Sequence, residues 1–432
     1  MTSAIPGPTG PEGRVHDLAL LVRRPDGAPA AEVEVRLEQR SHAFGFGCIA
    51  FGMPGAPGEG PGADAASAAD ADPTSPDAAD ATADAPGLDE LWLDLFSMGT
   101  VPFYWRWYEP DPGSTGAAQA WRTVRWLREH GRRVKGHPLL WHTLAPPWLL
   151  DLDDDEVERT IRARIRREAG EFAGAVDEWD VINETVILPR FTAEENAVTR
   201  LARARGRAHV VAMAFETARQ ADPAARLVLN DFDLTPRFEE VIEELLGLGV
   251  PIDAIGLQTH MHQGYRGEEQ IHEILERFSR FGLPLELTET TLVSGDLMPA
   301  HIEDLNDHQV PDWPSTPEGE ARQADELVRH YRTVLAHPQV ESLTYWGLGD
   351  EGAWLGAPAG LVRRDGTPKP SYEALRGLIR GQWWRDPVTV RTDAEGVLRF
   401  RGFAGGYRVE ALGGAAEAQL DGAAPSATVT LG

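Results

Sequence analysis

Two glutamates at the ends of apolar runs are the residues of this chain best suited to chemistry. Trp179-Asp180-Val181-Ile182-Asn183-Glu184 closes one run with a carboxamide and a carboxylate, and Leu285-Glu286-Leu287-Thr288-Glu289 closes another with a carboxylate. Two carboxyl groups facing each other can cleave a glycosidic bond. One protonates the leaving oxygen, and the other attacks the anomeric carbon through an oxocarbenium-like transition state. Either glutamate alone could equally end its strand in a salt bridge; the pair, taken with the other run ends, favours catalysis.

Those other ends carry His137, Trp141 and His142, Asn230 and Asp231, Gln258 and His260, and Trp346 with Trp354 beyond it. Indole faces stack on the apolar C–H faces of sugar rings, while amides and imidazoles hydrogen-bond the hydroxyls. The composition is that of a sugar site. His260-x-His262 could bind zinc on a strand. It comes late in the chain and lacks evident partners, so no metal is expected. His142, His262 and Trp313 fit packing or surface roles as well as functional ones.

The elements that must position these residues alternate. Apolar runs occur at 132–142, 176–184, 225–232, 252–260, 283–289 and 341–348, with amphipathic stretches at 154–174, 194–220, 237–247, 268–281 and 318–336. Each run begins apolar and ends polar or aromatic, as a parallel barrel strand does when its C-terminal end is functional. Two further strands near 43–48 and 99–106 complete eight. The expected fold is α/β: a (β/α)8 TIM barrel over 41–382.

The flanks read differently. Residues 14–40 alternate at period two around Arg-Pro-Asp-Gly, and 383–432 hold short strands near 387–389, 398–400, 407–411 and 427–431. Together they are expected to form one small β-sandwich, since neither offers enough strands alone. Residues 53–87 are low-complexity Ala/Asp/Gly/Pro and are expected to be a mobile surface loop.

Composition sets limits. The net charge of −27 argues against nucleic acid and anionic membrane partners, whereas a neutral carbohydrate meets no electrostatic penalty. Basic charge is nearly all Arg, the only lysines being Lys135 and Lys369, which reads as coding bias. A single cysteine, Cys48, rules out an intrachain disulfide and is expected to be a buried thiol. The N-terminus has no basic region followed by an apolar run of signal-peptide length, and no stretch approaches the roughly 20 apolar residues needed to span a bilayer. A cytoplasmic location is expected for the chain as it stands, secretion if a signal has been removed, and a monomer by default.

At these residues the sequence resembles the family 10 glycoside hydrolases, the retaining endo-β-1,4-xylanases. The matching motifs are Gly136-His137-Pro138-Leu139-Leu140-Trp141-His142, Trp179 to Glu184, Asn230-Asp231-Phe232, Gly256-Leu257-Gln258-Thr259-His260 and Thr288-Glu289. Trp346-Gly347-Leu348-Gly349-Asp350, Trp354 and Pro368-Lys369-Pro370-Ser371-Tyr372 complete the set, in family order over 42–380. The resemblance implies Glu184 as acid/base, Glu289 as nucleophile, Asn183 on the sugar 2-hydroxyl and His260 on the nucleophile. It further implies that His137, Trp141, Gln258, Trp346 and Trp354 line the cleavage point, and that no cofactor is needed. The implied activity is β-1,4-xylan hydrolysis by double displacement. The alternatives are a β-glycosidase acting on short oligosaccharides or aryl glycosides, or a non-catalytic carbohydrate-binding protein.

Two departures stand out. The family stretch Glu-Asn-x-x-Lys-Trp after strand two is here Pro102-Phe103-Tyr104-Trp105-Arg106-Trp107, with Arg106 in the Lys place, and Thr-Glu-Leu-Asp is Thr288-Glu289-Thr290-Thr291. Segment 102–107 is therefore expected to present Phe103, Tyr104, Trp105 and Arg106 to the non-reducing-side sugars. The alternative is that its aromatics pack beneath the sheet.

Overall fold

The computed structural model describes residues 8–11, 13–54 and 86–432. Residues 55–85, most of the segment expected to be a mobile loop, lie outside the described residues. Two strands come first, β1 (Val15–Arg23) and β2 (Glu34–Gln39). Eight more follow: β3 (Gly45–Ile49), β4 (Met98–Pro102), β5 (Arg133–His137), β6 (Glu178–Asn183), β7 (Arg226–Asp231), β8 (Ala254–Met261), β9 (Leu285–Leu292) and β10 (Val340–Tyr345). Those eight close into a barrel in sequence order, with β10 beside β3 and every neighbouring pair parallel.

Helices Ala117–Glu129, Asp154–Glu171, Arg207–Ala221, Pro236–Gly247, Glu268–Ser279 and Pro317–Ala336 cover the outside. Asp154–Glu171 starts in a capping box, with Asp153 and Glu156 each accepting from the other's backbone N–H. The expected helix over 194–220 is instead two, Ala197–Arg205 and Arg207–Ala221, broken where Gly206 takes φ +91°. A left-handed glycine ends the first helix, a signal that periodicity alone passes over.

The barrel interior departs from the branched aliphatic filling usual for this architecture. Lys135 reaches Glu286 at 2.8 Å, Asp180 at 3.0 Å and Glu178 at 3.8 Å, all buried, and Arg226 reaches Glu286 at 3.3 Å. Burial alone would lower the Lys135 pKa, but the three carboxylates raise it instead. Burial pushes Glu178 up to about 7, with Glu286 adding to the push. The other lysine, Lys369, is equally buried and bonds Asp350 at 2.7 Å and Ser294 at 2.8 Å. Lysine thus appears only where a compact buried cation is needed.

The last five strands are β11 (Val388–Arg391), β12 (Val397–Phe403), β13 (Gly405–Ala411), β14 (Gly414–Leu420) and β15 (Ser426–Thr430). They join β1 and β2 in two sheets of order β12-β1-β15 and β11-β2-β13-β14. Leu18, Leu20 and Val22 from the first sheet share a core with Val35, Leu37, Tyr407 and Val409 from the second. Arg14 fastens this sandwich to the barrel by donating to the carbonyls of Leu335, His337 and Val340. Removing 384–432 should uncover Leu18, Leu20, Val22, Val35 and Leu37 and lead to aggregation. A soluble truncation with an unchanged Tm would contradict this.

Candidate active site

The site lies at the C-terminal ends of the barrel strands. Two register shifts bring it there. Asp180 and Asn183 are three residues apart, as are Glu286 and Glu289, so regular pleating would turn each pair to opposite faces. The β6–β7 pairing shifts between Asp180 and Ile182, and the β8–β9 pairing shifts between Leu257 and Gln258, opposite Thr288. Each shift restores the inward direction. Asp180 and Glu286 then meet Lys135 inside the barrel, while Asn183 and Glu289 face the mouth above them.

Asn230 on β7 ties the two sides together. Its Nδ2 donates to Asn183 Oδ1 at 2.8 Å and to Glu289 Oε1 at 2.9 Å, and its Oδ1 accepts from the Thr288 hydroxyl at 2.5 Å. Asn183 Oδ1 also accepts from Gln258 Nε2 at 2.9 Å. The Asn183 carbonyl is thereby occupied, and its Nδ2 lies 3.4 Å from Glu184 Oε1. His260 places Nε2 at 3.0 Å from Glu289 Oε2 and Nδ1 at 3.1 Å from the hydroxyl of Thr291. Thr291 is a neutral group where the family pattern has an Asp. His137 is oriented from below, with Nδ1 at 2.8 Å from Asp180 Oδ2 and Nε2 at 3.8 Å from Glu289 Oε1.

Glu184 differs from Glu289 in its surroundings. Its Oε2 accepts from the Trp141 indole N–H at 2.8 Å, and His142 Nε2 stands 3.9 Å away. Burial pushes its carboxyl up to about 8, and the Glu289 charge adds to the push. Two carboxyls with unequal environments are what an acid and a nucleophile need. Proton donation requires the protonated form, so kcat/KM should hold to about pH 8 and fall above it. A pH–rate profile with its alkaline limb below pH 6 would contradict this.

Aromatic rings wall the mouth. Trp346 packs edge-on to His137 at 5.1 Å, and Trp354 lies 5.4 Å from His260. With Phe51 and Glu351 they line a hollow. His262 sits buried between Trp354 and Trp313, and among the described residues no group of three ligating side chains is placed to hold a metal ion.

Segment 102–107 divides, which corrects part of the expectation. Phe103 packs on Phe172 and Trp179, and Trp105 lies under the Arg164 guanidinium, so both belong to the core. Tyr104 alone turns to the mouth, against His137 and Trp141, with the half-exposed Trp107 beside it. Arg106 is held by Glu194 at 2.9 Å and by the Ala145 carbonyl, outside the hydrogen-bond network of the two carboxyls. Sequence reasoning missed Asn230 as the hub and Asp180 as the support of His137, and it did not separate Tyr104 from its core neighbours. The Asn-Asp pair at the end of β7 was the available signal for the hub.

Comparison with known proteins agrees with this geometry. Glycosyl hydrolase family 10 matches residues 103–377, well over half of the chain. The chain belongs to this family. Among family 10 relatives and other similar proteins, anti-sigma-I factor RsgI6 of Acetivibrio thermocellus is 26% identical over 324 residues, 73% of this chain but 38% of that protein. Endo-1,4-beta-xylanase 3 of Hypocrea jecorina is 25% identical, covering 64% of this chain and 73% of its own length. A beta-1,4-xylanase of Dictyoglomus thermophilum is 26% identical, with 62% and 82% covered. The family 10 structure from Paenibacillus barcinonensis superposes with a TM-score of 0.61 at 23% identity, over 80% of this chain and 97% of that one. The chain is a glycoside hydrolase built on the family's barrel.

Proposed function

We propose that this chain hydrolyses β-1,4-xylosidic bonds with retention, Glu184 acting as acid/base and Glu289 as nucleophile. The observation that carries the reading is the unequal pair: a carboxyl raised by burial on one side, and one held by Asn230 and His260 on the other. The names of the similar xylanases support the substrate class. In the cycle, Glu289 attacks the anomeric carbon while Glu184 gives its proton to the leaving oxygen. Water, deprotonated by Glu184, then releases the sugar with its configuration kept. In this reading Asn183 Nδ2 takes the sugar 2-hydroxyl, and Trp346 and Trp354 take its apolar faces.

Segment 102–107 favours a second reading within this chemistry. Pro102 and Phe103 replace a carboxylate and a carboxamide, and Arg106 is already engaged by Glu194. A site with fewer polar contacts rejects wrong sugars poorly. Short xylo-oligosaccharides or aryl glycosides should therefore be better substrates, relative to polymer, than the family pattern suggests. The test is a product profile and kcat/KM across β-1,4-xylan, β-glucan, mannan, xylo-oligosaccharides and aryl glycosides, with product anomers followed by NMR. Inversion, or cleavage of none of the xylosides, would overturn the proposal; a strong preference for long xylan would overturn the second reading.

A further inference from the structure

Glu184 sits at φ +59°, a left-handed conformation that strains a non-glycine residue. Asn183-Glu184-Thr185 contains no glycine to relieve it, so the surroundings must hold it. Before the turn, Asn183 N–H donates to the Leu140 carbonyl and Glu184 N–H to the Asn230 carbonyl, each at 2.9 Å. After it, the Thr185 hydroxyl and the Val186 N–H both donate to Asp231 Oδ2, at 3.1 and 3.0 Å. The other oxygen, Oδ1, accepts from Asp233 N–H at 2.9 Å.

Asp231 is wholly buried and burial pushes it up to about 6. The buried carboxylates of Asp180 and Asp350 each have a lysine, but the hydrogen-bond partners of Asp231 are neutral donors. Burying a carboxylate without a cation is costly unless hydrogen bonds satisfy its oxygens. Both oxygens are in use here. An Asn in its place would turn an NH2 against one set of donors.

We propose that Asp231 is a positioning residue for the acid/base, its Oδ2 pinning Thr185 and Val186 so that the Glu184 carboxyl is aimed into the site, while the bond from Asp233 N–H to Oδ1 fixes the Asp231 carboxyl itself. The inference rests on the reading of Glu184 as proton donor. Asp231 also acts through charge: after burial, Glu289 and then Asp231 raise Glu184, against the hydrogen bonds from Trp141 and Gln258. The other ionisable groups facing it are His142 and the phenol of Tyr104.

The test compares two aryl β-xylosides, one with a dinitrophenolate leaving group that needs no proton and one with an unactivated phenol that does. Asp231→Asn should lower kcat/KM on the phenyl substrate on the order of tenfold to a hundredfold, part of the ~10²–10⁴ that a positioned proton donor contributes. On the dinitrophenyl substrate the change should be less than about threefold, and the alkaline limb should move to lower pH. Thr185→Val keeps the charge and removes one bond, and should show the same pattern more weakly; it decides the matter where Asp231→Asn fails to fold. Equal losses on both substrates, or none on either, would overturn the inference. Glu184→Ala separates the two ideas. Without leaving-group dependence in that variant the acid assignment itself falls, whatever Asp231 does.

Discussion

Glu289→Ala should remove essentially all turnover of an aryl β-xyloside. The loss should exceed the roughly 10²–10⁴ contributed by a positioned proton-transfer group, because the covalent intermediate can no longer form. Its Oε1 and Oε2 are held by Asn230 at 2.9 Å and His260 at 3.0 Å, so the variant loses the attacking atom and leaves two polar groups without their acceptor. The fold should survive, since Glu289 faces the mouth rather than the charged layer beneath it. Steady-state kinetics beside a thermal melt check both halves. Near-normal turnover by a folded Glu289→Ala protein would exclude it as nucleophile.

Lys135→Met should be the most destabilising single change. Lys135 is the cation among Glu178, Asp180 and Glu286, each almost completely buried. Removing one partner of a buried ion pair costs about 3–5 kcal/mol, because the carboxylates left behind have no water and, apart from Arg226 beside Glu286, no close cation. Urea unfolding at pH 7 should show this as a lower midpoint with an unchanged slope. The pH dependence has a definite sign. A carboxyl raised in the folded state, as Glu178 is to about 7, contributes stability that is present at low pH and lost as pH rises through that value. Without Lys135 that loss should deepen, so the gap between variant and wild type should narrow as the solution is acidified. A gap independent of pH would show that the layer is held by packing instead.

What could be read from the sequence was what local pattern encodes. Apolar runs ending in Asn183-Glu184 and Thr288-Glu289 located two barrel strands and both carboxyls. The shorter strands expected near 43–48 and 99–106 are Gly45–Ile49 and Met98–Pro102. What escaped depended on partners distant in sequence. The shifts beside Val181 and Thr288 decide which side chains face inward, and nothing in either run marks them. Phe103, Tyr104 and Trp105 are chemically alike, and it is Phe172 and Trp179 for the first, and Arg164 for the third, that claim them for the core. Glu178 and Glu286 read as ordinary strand residues until Lys135 stands between them. Strand β14, Gly-Ala-Ala-Glu-Ala-Gln-Leu, is poor in β-branched and aromatic residues, and its pairing with β13 makes it a strand.

The sandwich has a consequence for how the protein is made. Its strands come from both ends of the chain, β1 pairing Val15 with Phe403 and β2 pairing Glu34 with Arg391, so the whole barrel is an insertion within it. During synthesis β1 and β2 leave the ribosome before the barrel, whereas the strands that cover Leu20 and Leu37 leave after it. Closing so long a loop before the barrel has shortened it is entropically unfavourable. The barrel must therefore fold first and bring the two ends together, and the sandwich then locks as a clasp. A chain released before β15 has emerged would carry an uncovered edge of β1, open to pairing with another chain.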